Sequence, residues 1–100
     1  MPRIKMARLV DLPPGAMVEK QILARRVAVV NDNGTILGIQ SECAHMRASL
    51  AKGGIKDGIL TCSWHGWQYD LRTGECINNP GFRLKQYEVE IDGGDVYLLL

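Results

Sequence analysis

Apolar and polar positions alternate in short runs along this chain, and turn residues interrupt them about every eight to twelve positions. Ile4 to Val10 alternates loosely and predicts a first strand, closed by the turn Asp11-Leu12-Pro13-Pro14-Gly15. Met17 to Leu23 predicts a second extended segment. Arg25 to Asn31 contains the run Val27-Ala28-Val29-Val30, whose length and β-branching predict a buried strand. Asp32-Asn33-Gly34 is the strongest hairpin signal, because Asn-Gly tolerates the positive φ values of a tight turn. Thr35 to Gln40 returns as its partner.

Ala48 to Lys52 has room for at most one helical turn before Gly53-Gly54 breaks it. A further turn at Lys56-Asp57-Gly58 leads into a short strand, Ile59-Leu60-Thr61. Gln68 to Asp70 and Glu75 to Ile77 flank the turn Arg72-Thr73-Gly74, and Asn78 to Gly81 forms a loop. Leu84 to Ile91 predicts a half-buried strand with one slip in its alternation. Asp92-Gly93-Gly94-Asp95 turns the chain, and Val96 to Leu100 closes the sheet. No long amphipathic helix and no internal repeat is present. Many short strands indicate an all-β sandwich or small barrel, and the pattern does not choose between them.

One hundred residues make one domain, 1–100. The net charge is +1 with no basic block, so there is no electrostatic footprint for nucleic acid. No apolar run reaches the length of a membrane span. Residues Met1 to Val10 lack a signal-peptide apolar core, and no twin-arginine signal precedes the domain, so the cytoplasm is the expected location.

The candidate chemistry lies between Cys43 and Tyr69. Cys43-Ala44-His45 is followed by sixteen residues and then Cys62-Ser63-Trp64-His65-Gly66-Trp67-Gln68-Tyr69. The only two histidines and two of the three cysteines fall in these two segments. Two thiolates and two imidazoles are enough to hold a metal centre. Structural zinc sites more often pair cysteine with cysteine and histidine with histidine, whereas each segment here supplies one of each. Both a zinc site and an iron–sulfur centre remain open on the residues alone.

The pattern Cys-x-His, sixteen residues, Cys-x-x-His resembles the Rieske family. The run His65-Gly66-Trp67-Gln68-Tyr69-Asp70 and the following Arg72-Thr73-Gly74-Glu75 resemble its soluble ferredoxins, and the likeness covers roughly Val27 to Leu100 and is expected to extend over the whole length. The resemblance implies a β-sandwich core with a small cluster-binding subdomain from about residue 42 to 80. It implies one [2Fe–2S] cluster, with Cys43 and Cys62 on the inner iron and His45 and His65 on the outer one. Cys76 is then left without a disulfide partner. The cytochrome-complex branch of the family bridges its two loops with an extra cysteine pair; the matching positions here are Ala48 and Trp64, so that bridge is absent.

Histidine ligation leaves the cluster less negatively charged than four thiolates do, which makes an electron easier to accept. Rieske centres as a class are known to span roughly −150 to +300 mV. In high-potential members a serine after the His-Gly of the second segment donates to a bridging sulfide. Trp67 stands at that position, while Tyr69 matches the tyrosine that donates to a cysteine sulfur. A low potential is therefore expected, and solvent-facing imidazoles would make it pH-dependent in the alkaline range.

Other residues have plainer readings. Cys76 is expected to be a small buried or half-buried side chain, with a reactive thiol as the alternative. Trp64 and Trp67 are expected to pack, with shielding or docking as the alternative. Met46, Arg47 and Pro80 sit where a docking rim or a covering loop would be, or are solvated loop residues.

The oxygen-activating Rieske enzymes carry a second domain with its own iron site, for which this length has no room. The resemblance thus implies a one-electron carrier and not an enzyme. It would be the monomeric ferredoxin component of an aromatic-ring dioxygenase or related oxygenase, docking transiently with a flavoprotein reductase and a terminal oxygenase. The alternatives are a small Rieske-like subunit of a nitrite reductase and a structural zinc-binding module.

Overall fold

A computed structural model of the chain describes residues 2–43, 49–50, 53–63 and 66–100. Among the described residues nine strands form in order: β1 (Arg3–Arg8), β2 (Met17–Ile22), β3 (Arg25–Asp32), β4 (Thr35–Gln40), β5 (Gly54–Lys56), β6 (Ile59–Thr61), β7 (Gln68–Asp70), β8 (Gln86–Asp92) and β9 (Asp95–Leu99). A 3₁₀ turn, Leu9–Asp11, follows β1.

Six strands make an antiparallel sheet in the order β1-β9-β8-β4-β3-β2, and β5-β6-β7 make a second, smaller sheet. The large sheet curls until its two outer strands meet. Lys20 Nζ on β2 donates to the Lys5 carbonyl on β1 at 2.7 Å and bridges the seam. The all-β expectation therefore holds, and the choice between sandwich and barrel resolves as one sheet that nearly closes.

Strand β3 shows why the Val27-Ala28-Val29-Val30 run is continuous rather than alternating. Val27 and Val29 point into a core with Met6, Leu12, Val96 and Leu98. Ala28 and Val30 point to the other side, into a core shared with Ile39, Leu60 and Tyr69. Both faces of the strand are buried, so both periods of the pleat must be apolar.

The hairpin at Asn33-Gly34 forms as expected, with φ of 52° and 96° at the two turn residues. Buried Asn31 reinforces it. Its Oδ1 accepts from the Gly34 N–H at 2.7 Å, and its Nδ2 donates to the Leu12 carbonyl at 2.7 Å.

Several expected strand boundaries shift by a residue or two, and three shifts have a visible cause. The first strand stops at Arg8 instead of Val10, because Leu9–Asp11 turn to insert Leu12 into the core and leave Val10 79% exposed. Leu23, expected in the second strand, lies in a two-residue turn at φ 56°, beyond the last pair Ile22↔Arg25. The strand expected from Leu84 begins at Gln86. Its slip has a cause: Leu84 belongs to the core that holds Tyr69, whereas Val89 packs on the core that holds Leu98. Glu75 to Ile77 forms no strand and makes only isolated bridges, Tyr69↔Cys76 and Glu75↔Arg83. The helical turn expected over Ala48 to Lys52 lies largely outside the described residues.

Candidate metal centre

The first cysteine sits just past the end of β4. Ser41 N–H donates to the Arg26 carbonyl at 2.9 Å, which keeps the chain against β3 for one more residue. Glu42 then pairs with Ser49 across an antiparallel bridge, and Leu50 N–H returns to the Ser41 carbonyl at 2.9 Å. These contacts close the base of a loop that leaves at Glu42 and comes back at Ser49, with Cys43 fully buried near its start.

The second cysteine begins the connection between β6 and β7. Thr61↔Gln68 is the last strand pair, and Cys62 N–H donates to the Trp67 carbonyl at 2.7 Å. Gly66 takes φ 68° within this tight loop, a conformation that glycine adopts without strain. The following loop leans on it. Ile77 N–H donates to the Gln68 carbonyl at 2.8 Å, and Gln68 N–H donates to Asn78 Oδ1 at 2.6 Å. Trp67, half-buried, meets Phe82 edge-on with ring centroids 5.2 Å apart. Packing is therefore the role of Trp67 that the contacts support.

Cys43 and Cys62 lie in one buried cluster together with Tyr69 and Cys76. Tyr69 is fully buried, and its hydroxyl lies 3.0 Å from Cys43 Sγ. That contact links the strand after the second loop to the cysteine of the first. None of the three cysteines is joined in a disulfide. Cys76 has no exposed surface, as its sequence reading expected. Pro80 is exposed in its loop.

His45 and His65, the two histidines read as ligands, lie outside the described residues, as do Trp64, Met46, Arg47 and Ala48. The described residues thus hold half of the expected donor set, and no group of three or more metal-binding side chains occurs among them. That half fits a group needing two thiolates: two buried sulfurs in one apolar cluster, with a phenolic hydroxyl beside one of them. No carboxylate-rich, oxygen-preferring site is built among the described residues.

A match to the Rieske [2Fe-2S] domain runs over residues 3–88. The chain belongs to the Rieske [2Fe-2S] family. Its cofactor is a [2Fe–2S] cluster. The chain is 35% identical over 88 residues to the biphenyl dioxygenase ferredoxin subunit of Pseudomonas sp. (strain KKS102), covering 86% of this chain and 81% of that one. It also matches part of a much longer protein, apoptosis-inducing factor 3 of Homo sapiens: 34% identity over 89 residues, 88% of this chain but 15% of the relative.

Among solved structures, the complex of reduced oxygenase and oxidised ferredoxin in carbazole 1,9a-dioxygenase matches with a TM-score of 0.88 and 26% identity, over 96% of this chain and 91% of the matched one. A nitrite reductase small subunit matches with a TM-score of 0.79 and 23% identity over 100% of both chains, which is a likeness of fold. Two relatives that this chain spans over most of their own length, the biphenyl dioxygenase ferredoxin subunit and the ferredoxin component of an alkene monooxygenase system, are named as ferredoxin components, which carry electrons and are not catalysts.

Sequence reasoning did not single out Glu19, Ser41, Ser49 or Asn78. Asn78 lay in a stretch read simply as loop, and nothing local marks Glu19, whose contacts to Ser41 and Ser49 span more than twenty positions.

Proposed function

We propose that this Rieske protein is a one-electron carrier of an oxygenase system, taking electrons from a flavoprotein reductase and delivering them to a terminal oxygenase. The observation that carries this reading is the 35% identity to a dioxygenase ferredoxin subunit over most of both chains. Cys43, His45, Cys62 and His65 are the proposed ligands, and residues 42 to 80 the proposed cluster-binding subdomain. When bound, the cluster supplies reversible one-electron transfer. The two histidines are the proposed exit toward a partner. The expected setting is cytoplasmic and the expected state a monomer. Among the described residues no helix is long and apolar enough to cross a membrane.

The chain's own residues set the environment. The Tyr69 hydroxyl, 3.0 Å from Cys43 Sγ, donates to that sulfur once it is a thiolate. Trp67 packs against the buried cluster that holds both cysteines and meets Phe82 edge-on. Replacing Tyr69 with Phe removes a donor that favours the more negative, reduced state. The midpoint potential should fall by roughly several tens of millivolts, given about 59 mV per tenfold change for one electron. Potentiometric titration of both proteins checks this, and an unchanged midpoint contradicts it.

Transient docking separates a carrier from a fixed subunit. The chain, tagged and captured from the cells that make it, should emerge alone from gel filtration, carrying iron. A large subunit that stays bound at about 1:1 would favour the nitrite reductase reading instead. A colourless preparation holding zinc would favour the structural module.

A further inference from the structure

We propose that Glu19 is a positioning residue for the metal centre, its carboxylate clamping both ends of the first ligand-bearing loop. Glu19 Oε2 accepts from Ser41 Oγ at 2.5 Å and from Ser49 Oγ at 2.7 Å. Ser41 precedes Cys43 by two residues, and Ser49 forms the bridge to Glu42 that closes the loop. One oxygen on β2 therefore ties the exit of the loop to its return, across the intervening strand β3.

The sheet explains how it reaches. Glu19 pairs with Ala28, and Ala28 with Ile39, so the three share one face. Ala28 is the smallest residue of the Val27–Val30 run, and its short side chain leaves the path open. The second carboxylate oxygen, Oε1, lies 4.0 Å from Arg26 Nε, and Arg26 also supplies the carbonyl that receives the Ser41 N–H. The Ser41 hydroxyl is fully buried, so its bond to a charged acceptor is costly to lose. The residues just before Cys43 and at the loop's return are thus both held by this carboxylate.

The inference rests on the reading of Cys43 and His45 as ligands. Its test uses the iron-loaded protein and two readouts. The first is backbone hydrogen exchange by mass spectrometry over residues 42–50, compared with Val27–Val30. The second is the rate of bleaching of the visible absorption under an iron chelator.

In Glu19→Gln, exchange over 42–50 should rise about tenfold, the order expected for losing a charged hydrogen bond. The β3 amides should keep their native rates, and bleaching should speed up by a similar factor. Ser49→Ala, a milder change, should do the same, and Ser49→Thr should restore native behaviour. The double variant should add little to either single one, because both cut the same tie.

Unchanged exchange over 42–50 in both single variants overturns the clamp. So does a rise spread equally over β2 and β3, which is the signature of general loosening. Faster exchange with native bleaching overturns the link to the metal centre. Failure of the ligand reading shows separately, as a Cys43→Ala protein that keeps its full iron.

Discussion

Replacing Cys62 with Ala will remove the cluster: iron and sulfide will fall to near zero and the visible absorption will vanish. Cys43→Ala will do the same. Cys76→Ala will keep full iron. Burial does not separate the three residues, because all are buried and share one core cluster. What separates them is the spacing: Cys43 and Cys62 each stand within three residues of a histidine, and Cys76 does not. Alanine is the right substitute, since it supplies no donor atom. The variants will also be destabilised beyond the loss of a small side chain, because a bound metal stabilises only the folded state. Cys76→Ala should cost about 1 kcal/mol through its small cavity, and lower the Tm by roughly 4–8 °C. Metal analysis of the purified variants checks all three.

Gly53→Ala will be among the most damaging single changes outside the proposed ligand set, and Gly54→Ala next to it will be nearly silent. A Cβ on Gly53 would come to 1.9 Å from the Thr61 carbonyl oxygen, with the Leu50 carbonyl at 3.3 Å. Those are backbone atoms that cannot rotate away. Thr61 ends β6 and immediately precedes Cys62, so the clash pushes the return of the first loop off the start of the second. A Cβ on Gly54 meets nothing within 4 Å. Overpacking of this kind costs roughly 1–3 kcal/mol, and the backbone contact argues for the upper end. The Gly53 variant should therefore lose more than about 10 °C in Tm, and cluster retention with it, while the Gly54 variant stays within about 0.5 kcal/mol of native. Thermal melts of the two proteins side by side make the comparison.

Local signals in the chain carry the parts of the fold that are locally determined. Asn33-Gly34 needs nothing but its own φ preferences to make the hairpin, and the run Val27 to Val30 announces a strand buried on both faces. The expected ligands show in spacing alone, because scarce residue types recur in a fixed pattern. What is missing is what packing decides. Val10 is as apolar as Leu12, yet the 3₁₀ turn exposes one to bury the other. Leu84 breaks the alternation of its segment because it serves the opposite core from Val89. The insertion of β9 between β1 and β8 brings the chain's end beside its beginning, and no local pattern encodes that order. Glu19 reads as an ordinary strand carboxylate until the fold brings Ser41 and Ser49 to it.

The most direct test of the account is the low-temperature EPR spectrum of the dithionite-reduced protein, purified without oxygen, with iron and sulfide assayed on the same sample. The account predicts two irons and two sulfides per chain, and the low average g value of a cluster held by both histidine and cysteine. A colourless, EPR-silent protein with one zinc would contradict it.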